Sequence, residues 1–169
     1  KKKSIFPINI FLIFILIISF LFDKYAFYLI DIIKNRYLDA FFGIITYFGE
    51  FFVVLILITI LFLFNKKEER NIPLLWLSFL GLAAICIVLK FLISRPRPFG
   101  LSVFFPYINF VEYSFPSLHA AVVILALLIL FKELPKYKRL FGFIGVLIIF
   151  SRIYLKVHFL SDIIGGLII

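Results

Sequence analysis

Long apolar runs, separated by short charged stretches, constrain this chain more than any other feature. Hydrophobic residues make up 64% of the 169 residues and charged residues 16%, whereas soluble domains are about one half apolar and about one quarter charged. A soluble domain of this length could not bury so much apolar surface, so much of it must face lipid. The apolar runs are Ile5–Phe22, Phe41–Phe64, Leu74–Ser94, Leu118–Phe131, Leu140–Tyr154 and Phe159–Ile169.

These runs predict an all-α, polytopic membrane protein: a helical bundle of six transmembrane helices forming one domain over residues 1–169. The first run is as long as a spanning helix requires, roughly 17 to 25 residues. No small-residue cleavage site follows it, so we predict an uncleaved span. The last run has only eleven residues, about 16 Å of helix, which is too short to span. We therefore expect either a natural chain that continues beyond Ile169 or an incomplete final helix.

The basic residues predict the orientation of the bundle. Lys1–Lys3, Lys66–Arg70 and Lys132–Arg139 fall on one side of a six-span alternation and hold ten of the eighteen Lys and Arg residues. That side, with the N-terminus, is predicted to be cytoplasmic. On the opposite side, Asp23–Ala40 mixes charged and apolar positions. The mixture predicts an amphipathic helix lying in the membrane interface; the alternative is a loosely ordered loop.

The net charge of +9 does not indicate a nucleic-acid partner, because the basic residues are scattered between apolar runs and form no continuous patch. The single cysteine, Cys86, lies inside an apolar run and cannot form an internal disulfide. No clustered carboxylates or His-x-His spacing are present to hold a metal ion, so we predict no metal and no cofactor. The predicted partner is the lipid bilayer, and the sequence does not indicate the oligomeric state.

Ionisable residues at membrane depth cost several kcal/mol unless they are paired or reach the interface. The first such residue is Lys90, near the outer end of the third run. Pro96 and Pro98 cannot continue a helix, so the chain turns out of the membrane there. Taken alone, Lys90 is explained as a snorkelling lysine, and Arg95 and Arg97 as interfacial anchors.

The second polar segment, Pro116-Ser117-Leu118-His119, opens the fourth run. Proline and serine are typical of a helix start. The exposed N–H groups of a helix start, with the helix dipole, favour an anion. The alternative is a capping serine beside an interfacial histidine.

The third segment runs from Ser151-Arg152 to His158 and Asp162. Positions four apart share a helix face, so His158 and Asp162 can form a hydrogen bond. A carboxylate on one ring nitrogen leaves the other free to attack. The alternative is a structural His–Asp pair. Because both histidines and the single acid beyond Glu133 fall in these segments, we predict that the three segments form one site.

Together the segments resemble the motifs of the type 2 phosphatidic acid phosphatase family: K-x6-R-P, P-S-G-H and S-R-x5-H-x3-D. The resemblance covers roughly Leu74–Ile169, and the motif spacing and order match. The family usually has glycine at the position of Leu118. Glycine lets the backbone approach phosphate closely, so we expect the leucine side chain to crowd the pocket or to contact an acyl chain.

The resemblance implies a role for each motif residue. Lys90, Arg97 and Arg152 would hold the phosphate oxygens, with Ser117 and the backbone N–H of Leu118. His158 would attack phosphorus to form a phosphohistidine, oriented by Asp162. His119 would protonate the leaving oxygen and then activate water, and Arg95 would be peripheral.

The implied protein is a metal-independent lipid phosphatase of the bacterial cytoplasmic membrane, with its site on the outer (periplasmic) face. The apolar loop Phe99–Phe115 suggests a shallow, open site. Lipid A 1-phosphate is the favoured substrate, and undecaprenyl pyrophosphate or phosphatidylglycerol phosphate are the alternatives. A lipid-to-lipid phosphotransferase would use the same residues, and a catalytically silent lipid-binding protein is a further alternative. A haloperoxidase with a related site would be expected to be soluble.

Overall fold

The computed structural model describes residues 6–66, 68–98 and 113–169, and within these ranges it is helical with no strand. The all-α prediction is therefore confirmed for the described chain. The Lys1–Lys3 cluster and most of the apolar loop after Pro98 lie outside the described residues. The helices are α1 (Phe6–Ile33), α2 (Arg36–Ile45), α3 (Phe51–Leu63), α4 (Ile72–Ile93), α5 (Leu118–Glu133), α6 (Lys138–Tyr154) and α7 (Leu160–Ile168).

Helix lengths do not confirm six membrane spans. In the described chain, two segments are long and apolar enough to cross a bilayer, Ile10–Ile33 and Glu69–Ile93. A third is added if Arg36–Gly49 and Phe51–Leu63, bent by 57°, are counted as one span. The 16 residues of α5 and 17 of α6 reach only about 25 Å, short of the roughly 30 Å hydrocarbon core.

The structure contradicts the single interfacial helix predicted over Asp23–Ala40. Helix α1 continues to Ile33, and α2 begins at Arg36. Asn35 separates them, because its side chain accepts hydrogen bonds from the backbone N–H groups of Tyr37 and Leu38 at 3.1 and 3.0 Å. The charge of Asp23 predicted an end of the first span at Phe22, but the helix continues and the Asp23 side chain is buried within the bundle.

Two buried apolar clusters hold the helices together, and α5 contributes to both. Val122 packs with Leu55 of α3 and Phe79 of α4. Ala120, two residues earlier, packs with a second cluster formed by α1, α2, α6 and α7. The start of α5 therefore lies between the two halves of the bundle.

A glycine allows α7 to pack closely against the start of α5. A Cβ on Gly166 would lie 2.4 Å from the carbonyl oxygen of Ser117 and 3.0 Å from the Cβ of Ala120. The Ser117 N–H in turn donates to the carbonyl oxygen of Asp162 at 3.0 Å. The close approach thus brings the first turn of α7 beside the first turn of α5.

We predict that Gly166→Ala destabilises the protein by about 1–3 kcal/mol, because the new methyl group would overlap backbone that cannot move independently. Gly81→Ala is the matched control, since a Cβ there meets no atom within 4 Å and alanine is the better helix former. Thermal midpoints in detergent would test this. A Gly166→Ala midpoint equal to that of Gly81→Ala would contradict the packing.

Candidate active site

His158 lies in the turn between α6 and α7 and is only 2% exposed. The Arg152 carbonyl holds this turn by accepting the N–H groups of Val157 and His158 at 3.1 and 3.2 Å. His158 therefore precedes α7 and shares no helix face with Asp162, contrary to the prediction. Asp162, in the first turn of α7, still faces the imidazole, with its Oδ2 3.5 Å from Nδ1 of His158.

The structure brings the three predicted phosphate-binding cations around His158. Lys90, at the end of α4, donates to the Tyr113 carbonyl. Arg97 donates to the Val157 carbonyl at 3.1 Å, and Arg152 donates to Thr46 Oγ1 at 2.5 Å. Burial holds the pKa of His158 well below its ordinary value, and these three cations lower it further. The His158 imidazole is thus neutral at pH 7.

The remaining predicted residues lie at the start of α5. Ser117 caps this helix, and its Oγ accepts the Ala120 N–H at 3.4 Å. The Leu118 side chain packs against the buried cluster of α3, α4 and α5. The protein interior thus accommodates the leucine that replaces the family glycine. His119 follows, with its Nε2 3.3 Å from Oε1 of Glu50.

Glu50 and Thr46, at the break between α2 and α3, were not predicted from the sequence as part of the site. Glu50 is the single charged residue in the apolar run Phe41–Phe64, and that isolation was an available signal. Thr46 carried no such signal, because only the fold places it against Arg152. Gly49 lets this break approach the site, since a Cβ there would lie 3.2 Å from Cδ2 of His119.

Arg95, for which the sequence predicts a peripheral role, lies in direct contact with Asp162. One of its terminal nitrogens donates to Oδ1 of Asp162 at 2.6 Å, and the other donates to Oδ2 of Asp23 at 2.7 Å. Asp23, in the middle of α1, was likewise missed. Its buried charge is explained by this pairing.

Three buried nitrogens of the site have no hydrogen-bond partner within the described ranges: Nδ1 of His158, Nε2 of His119 and Nε of Arg152. Nδ1 of His158 and Nε2 of His119 each face a carboxylate, at 3.5 and 3.3 Å. Most buried polar atoms in proteins are paired, so the unpaired Nε of Arg152 indicates a place for a polar ligand. The surrounding cations make that ligand an anion. Among residues 6–66, 68–98 and 113–169, no group of three or more His, Cys, Asp or Glu side chains is placed to hold a metal ion.

Comparisons with known proteins identify relatives of this chain. The PAP2 superfamily model matches residues 72–169. An undecaprenyl-diphosphatase of Sulfolobus acidocaldarius is 29% identical over 131 residues, 70% of this chain and 59% of the relative. Phosphatidylglycerophosphatase B of Bacillus subtilis is 40% identical over 90 residues, 47% of this chain and 42% of the relative. The chain thus spans about half the length of these curated relatives.

A solved structure resembles nearly the whole chain. It is the crystal structure of a transmembrane PAP2-type phosphatidylglycerolphosphate phosphatase from Bacillus subtilis. The TM-score is 0.71 at 27% identity, and the match covers 97% of this chain and 90% of the other.

We predict that His158 titrates below its ordinary pKa of about 6.5. Removing a neighbouring cation relieves the repulsion of the imidazolium, so Arg97→Gln should raise the pKa of His158. Labelling with ¹⁵N-histidine gives a simple spectrum, because the chain has two histidines. Arg139→Gln, about 20 Å from Arg152 along α6, is the control. An imidazolium at His158 at pH 7, or equal shifts in both variants, would contradict the prediction.

Proposed function

Because the chain belongs to the PAP2 superfamily, we propose that it is an integral membrane phosphatase that hydrolyses a lipid phosphate through a phosphohistidine intermediate. One observation carries the proposal: a buried, neutral His158 is surrounded by Lys90, Arg97 and Arg152, with a carboxylate 3.5 Å from its Nδ1. A neutral imidazole is a nucleophile, and clustered cations favour a phosphate group beside it.

In the first step, Lys90, Arg97 and Arg152 neutralise the equatorial phosphate oxygens, as phosphoryl transfer requires. The N–H groups at the start of α5, after Ser117, add donors at the positive end of a helix dipole. Nε2 of His158 attacks phosphorus, and the bond from phosphorus to the lipid oxygen breaks. The Asp162 carboxylate stabilises the positive charge that develops on the imidazole.

His119 moves the protons of both steps. Its protonated form gives a proton to the departing lipid oxygen. The neutral form then takes a proton from water as water attacks phosphorus, the phosphorus–nitrogen bond breaks, and inorganic phosphate leaves. Glu50, 3.3 Å from Nε2 of His119, orients this imidazole as Asp162 orients His158.

An apolar cleft beside the site supports a substrate with long hydrocarbon chains. The cleft has a volume of about 370 Å³, lies between α3, α5 and α6, and is lined by apolar residues. Two lining residues, Val123 and Ile148, lie within 4 Å of the Cβ position of Gly49, as does His119. From Val123 the cleft extends along α5 to Leu134, about 16 Å. A headgroup at His158 can therefore have its chain in this cleft.

The relatives direct the choice of substrate. Their names indicate an isoprenoid pyrophosphate and phosphatidylglycerol phosphate, two of the three substrates left open by the sequence. Lipid A 1-phosphate has no counterpart among the relatives compared. We place the reaction in the outer leaflet of the cytoplasmic membrane, opposite the basic clusters Lys66–Arg70 and Lys132–Arg139.

We predict that the purified protein releases phosphate from undecaprenyl pyrophosphate or phosphatidylglycerol phosphate in detergent with EDTA present, and releases less from lipid A 1-phosphate. His158→Ala should abolish release, and brief incubation of the wild type with ³²P-labelled lipid should leave acid-labile label on the protein. Loss of activity in EDTA would contradict the metal-independent mechanism. Transfer of label to a second lipid without phosphate release would indicate a phosphotransferase.

We further predict that His119→Ala slows lipid phosphate hydrolysis by about 10²- to 10⁴-fold, the usual contribution of a general acid–base. An aryl phosphate needs no protonation to depart, so phosphoenzyme formation from it should be much less affected, and the phosphoenzyme should accumulate. Glu50→Gln should show the same pattern more weakly, and Glu69→Gln, outside the site, should not. Equal losses in the rate of phosphoenzyme formation from both substrate types would contradict the assignment of His119 as the proton donor.

A further inference from the structure

We propose that Asp23, Arg95 and Ser161 form a positioning assembly that sets the orientation of the Asp162 carboxylate toward His158. The inference rests on the proposed function, because it concerns the nucleophile of that reaction. It assigns to α1, whose residues precede the matched family region 72–169, a part in the reaction.

The three residues form a closed ring of charged and polar contacts. Arg95 donates to Oδ2 of Asp23 at 2.7 Å and to Oγ of Ser161 at 2.6 Å. Ser161 closes the ring, because its Oγ donates to Oδ2 of Asp23 at 2.7 Å and its N–H donates to Oδ1 at 2.9 Å. Asp23 and Ser161 are both buried, and the contacts join α1, the loop after α4 and the first turn of α7 to one another.

Arg95 differs from the phosphate-binding cations because its guanidinium group is already surrounded by protein groups. Its two terminal nitrogens contact two carboxylates, Asp23 and Asp162, so its charge is already neutralised. Its guanidinium carbon lies 3.9 Å from the ring centroid of Phe159 and 4.9 Å from that of Phe20. Edges and faces of the guanidinium are therefore both engaged by protein groups. We infer that Arg95 is a structural partner of these two carboxylates and does not hold substrate.

The ring acts on catalysis through the two oxygens of Asp162. Oδ1 accepts from Arg95 at 2.6 Å. Oδ2 accepts the Phe159 N–H at 2.8 Å and faces Nδ1 of His158 at 3.5 Å. Arg95 and the Phe159 N–H thus place a donor on each oxygen and, together with the Ser114 hydroxyl, define the plane of the carboxylate. Release of Oδ1 would let that plane rotate away from His158.

The molecule contains a matched control for this role. Asp31, also on α1, pairs with Lys156 in the turn that carries His158. Asp23 and Asp31 thus both tie α1 to the α6–α7 region, Asp23 through Ser161 and Asp31 through Lys156. The side chain of Asp31 is 57% exposed, whereas that of Asp23 is 6% exposed. Loss of stability should therefore be larger in Asp23→Asn, and a positioning effect is distinguished from it by kcat and by the His158 spectrum.

The experiment compares Asp23→Asn with Asp31→Asn in steady-state and single-turnover assays. The substrate is whichever of the three lipids named above the wild type hydrolyses fastest. We expect Asp23→Asn to lower kcat and the rate of phosphoenzyme formation about 10- to 100-fold, the usual loss when an orienting partner is removed. KM should change little, since the phosphate-binding cations are untouched. In a variant that already carries Asp162→Asn, adding Asp23→Asn should lower kcat no further. Asp31→Asn should match wild type.

A second readout does not depend on activity. Asp23→Asn should shift the ¹⁵N resonances of His158 and leave those of His119 in place, and Asp31→Asn should shift neither. Should Asp23→Asn fail to fold, Ser161→Ala opens the ring more mildly and should show the same kcat loss to a smaller degree. Unchanged kcat and an unchanged His158 spectrum in Asp23→Asn would overturn the inference while wild-type phosphatase activity stands. An inactive wild type would instead overturn the proposed function.

Discussion

Carboxylates and cations buried between apolar helices cost several kcal/mol each unless they are paired, and one end of this bundle is organised by that requirement. Asp23 in α1 and Asp162 in α7 share Arg95 from the loop after α4. Each charge is thus paired by a residue distant in sequence. The same contacts that make burial tolerable also hold α1, α4 and α7 together where the candidate site lies.

At this end of the bundle, the charged groups that are ion-paired differ from those that have unpaired hydrogen-bond donors. Arg95 has its charge neutralised by two carboxylates, whereas the buried Nε of Arg152 has no hydrogen-bond partner within the described residues. Unpaired buried donors are costly in an empty site and favourable when an anion arrives. The cations around His158 can therefore bind phosphate, and the ion-paired residues hold the helices that carry those cations in position.

Helices α5, α6 and α7, which carry or adjoin most of the site, are shorter than the membrane is thick. The two longest helices, α1 and α4, present many apolar side chains outward. Glycines make this compact packing possible. Gly166 brings α7 against the backbone of Ser117, and Gly49 brings the break between α2 and α3 against His119. The proposed chemistry depends on these approaches, since a methyl group at either position would separate residues that must face one phosphate.

Composition was enough to predict helices and lipid contact, and Pro96, Pro98 and Pro116 indicated where helices end or begin. Motif spacing predicted one cluster containing Lys90, Arg97, Ser117, His119, Arg152, His158 and Asp162. Each of those signals is local, or is a fixed spacing along the chain. The partners Glu50 and Asp23 were missed, because a lone charge in an apolar run looks the same whether it ends a helix or is paired inside a bundle. Thr46 carries no charge, and only the fold places it against Arg152. The sequence by itself determined the residue types and their order. Only the tertiary structure decided which carboxylate faces which histidine, since pairing depends on distances between helices that local patterns do not encode.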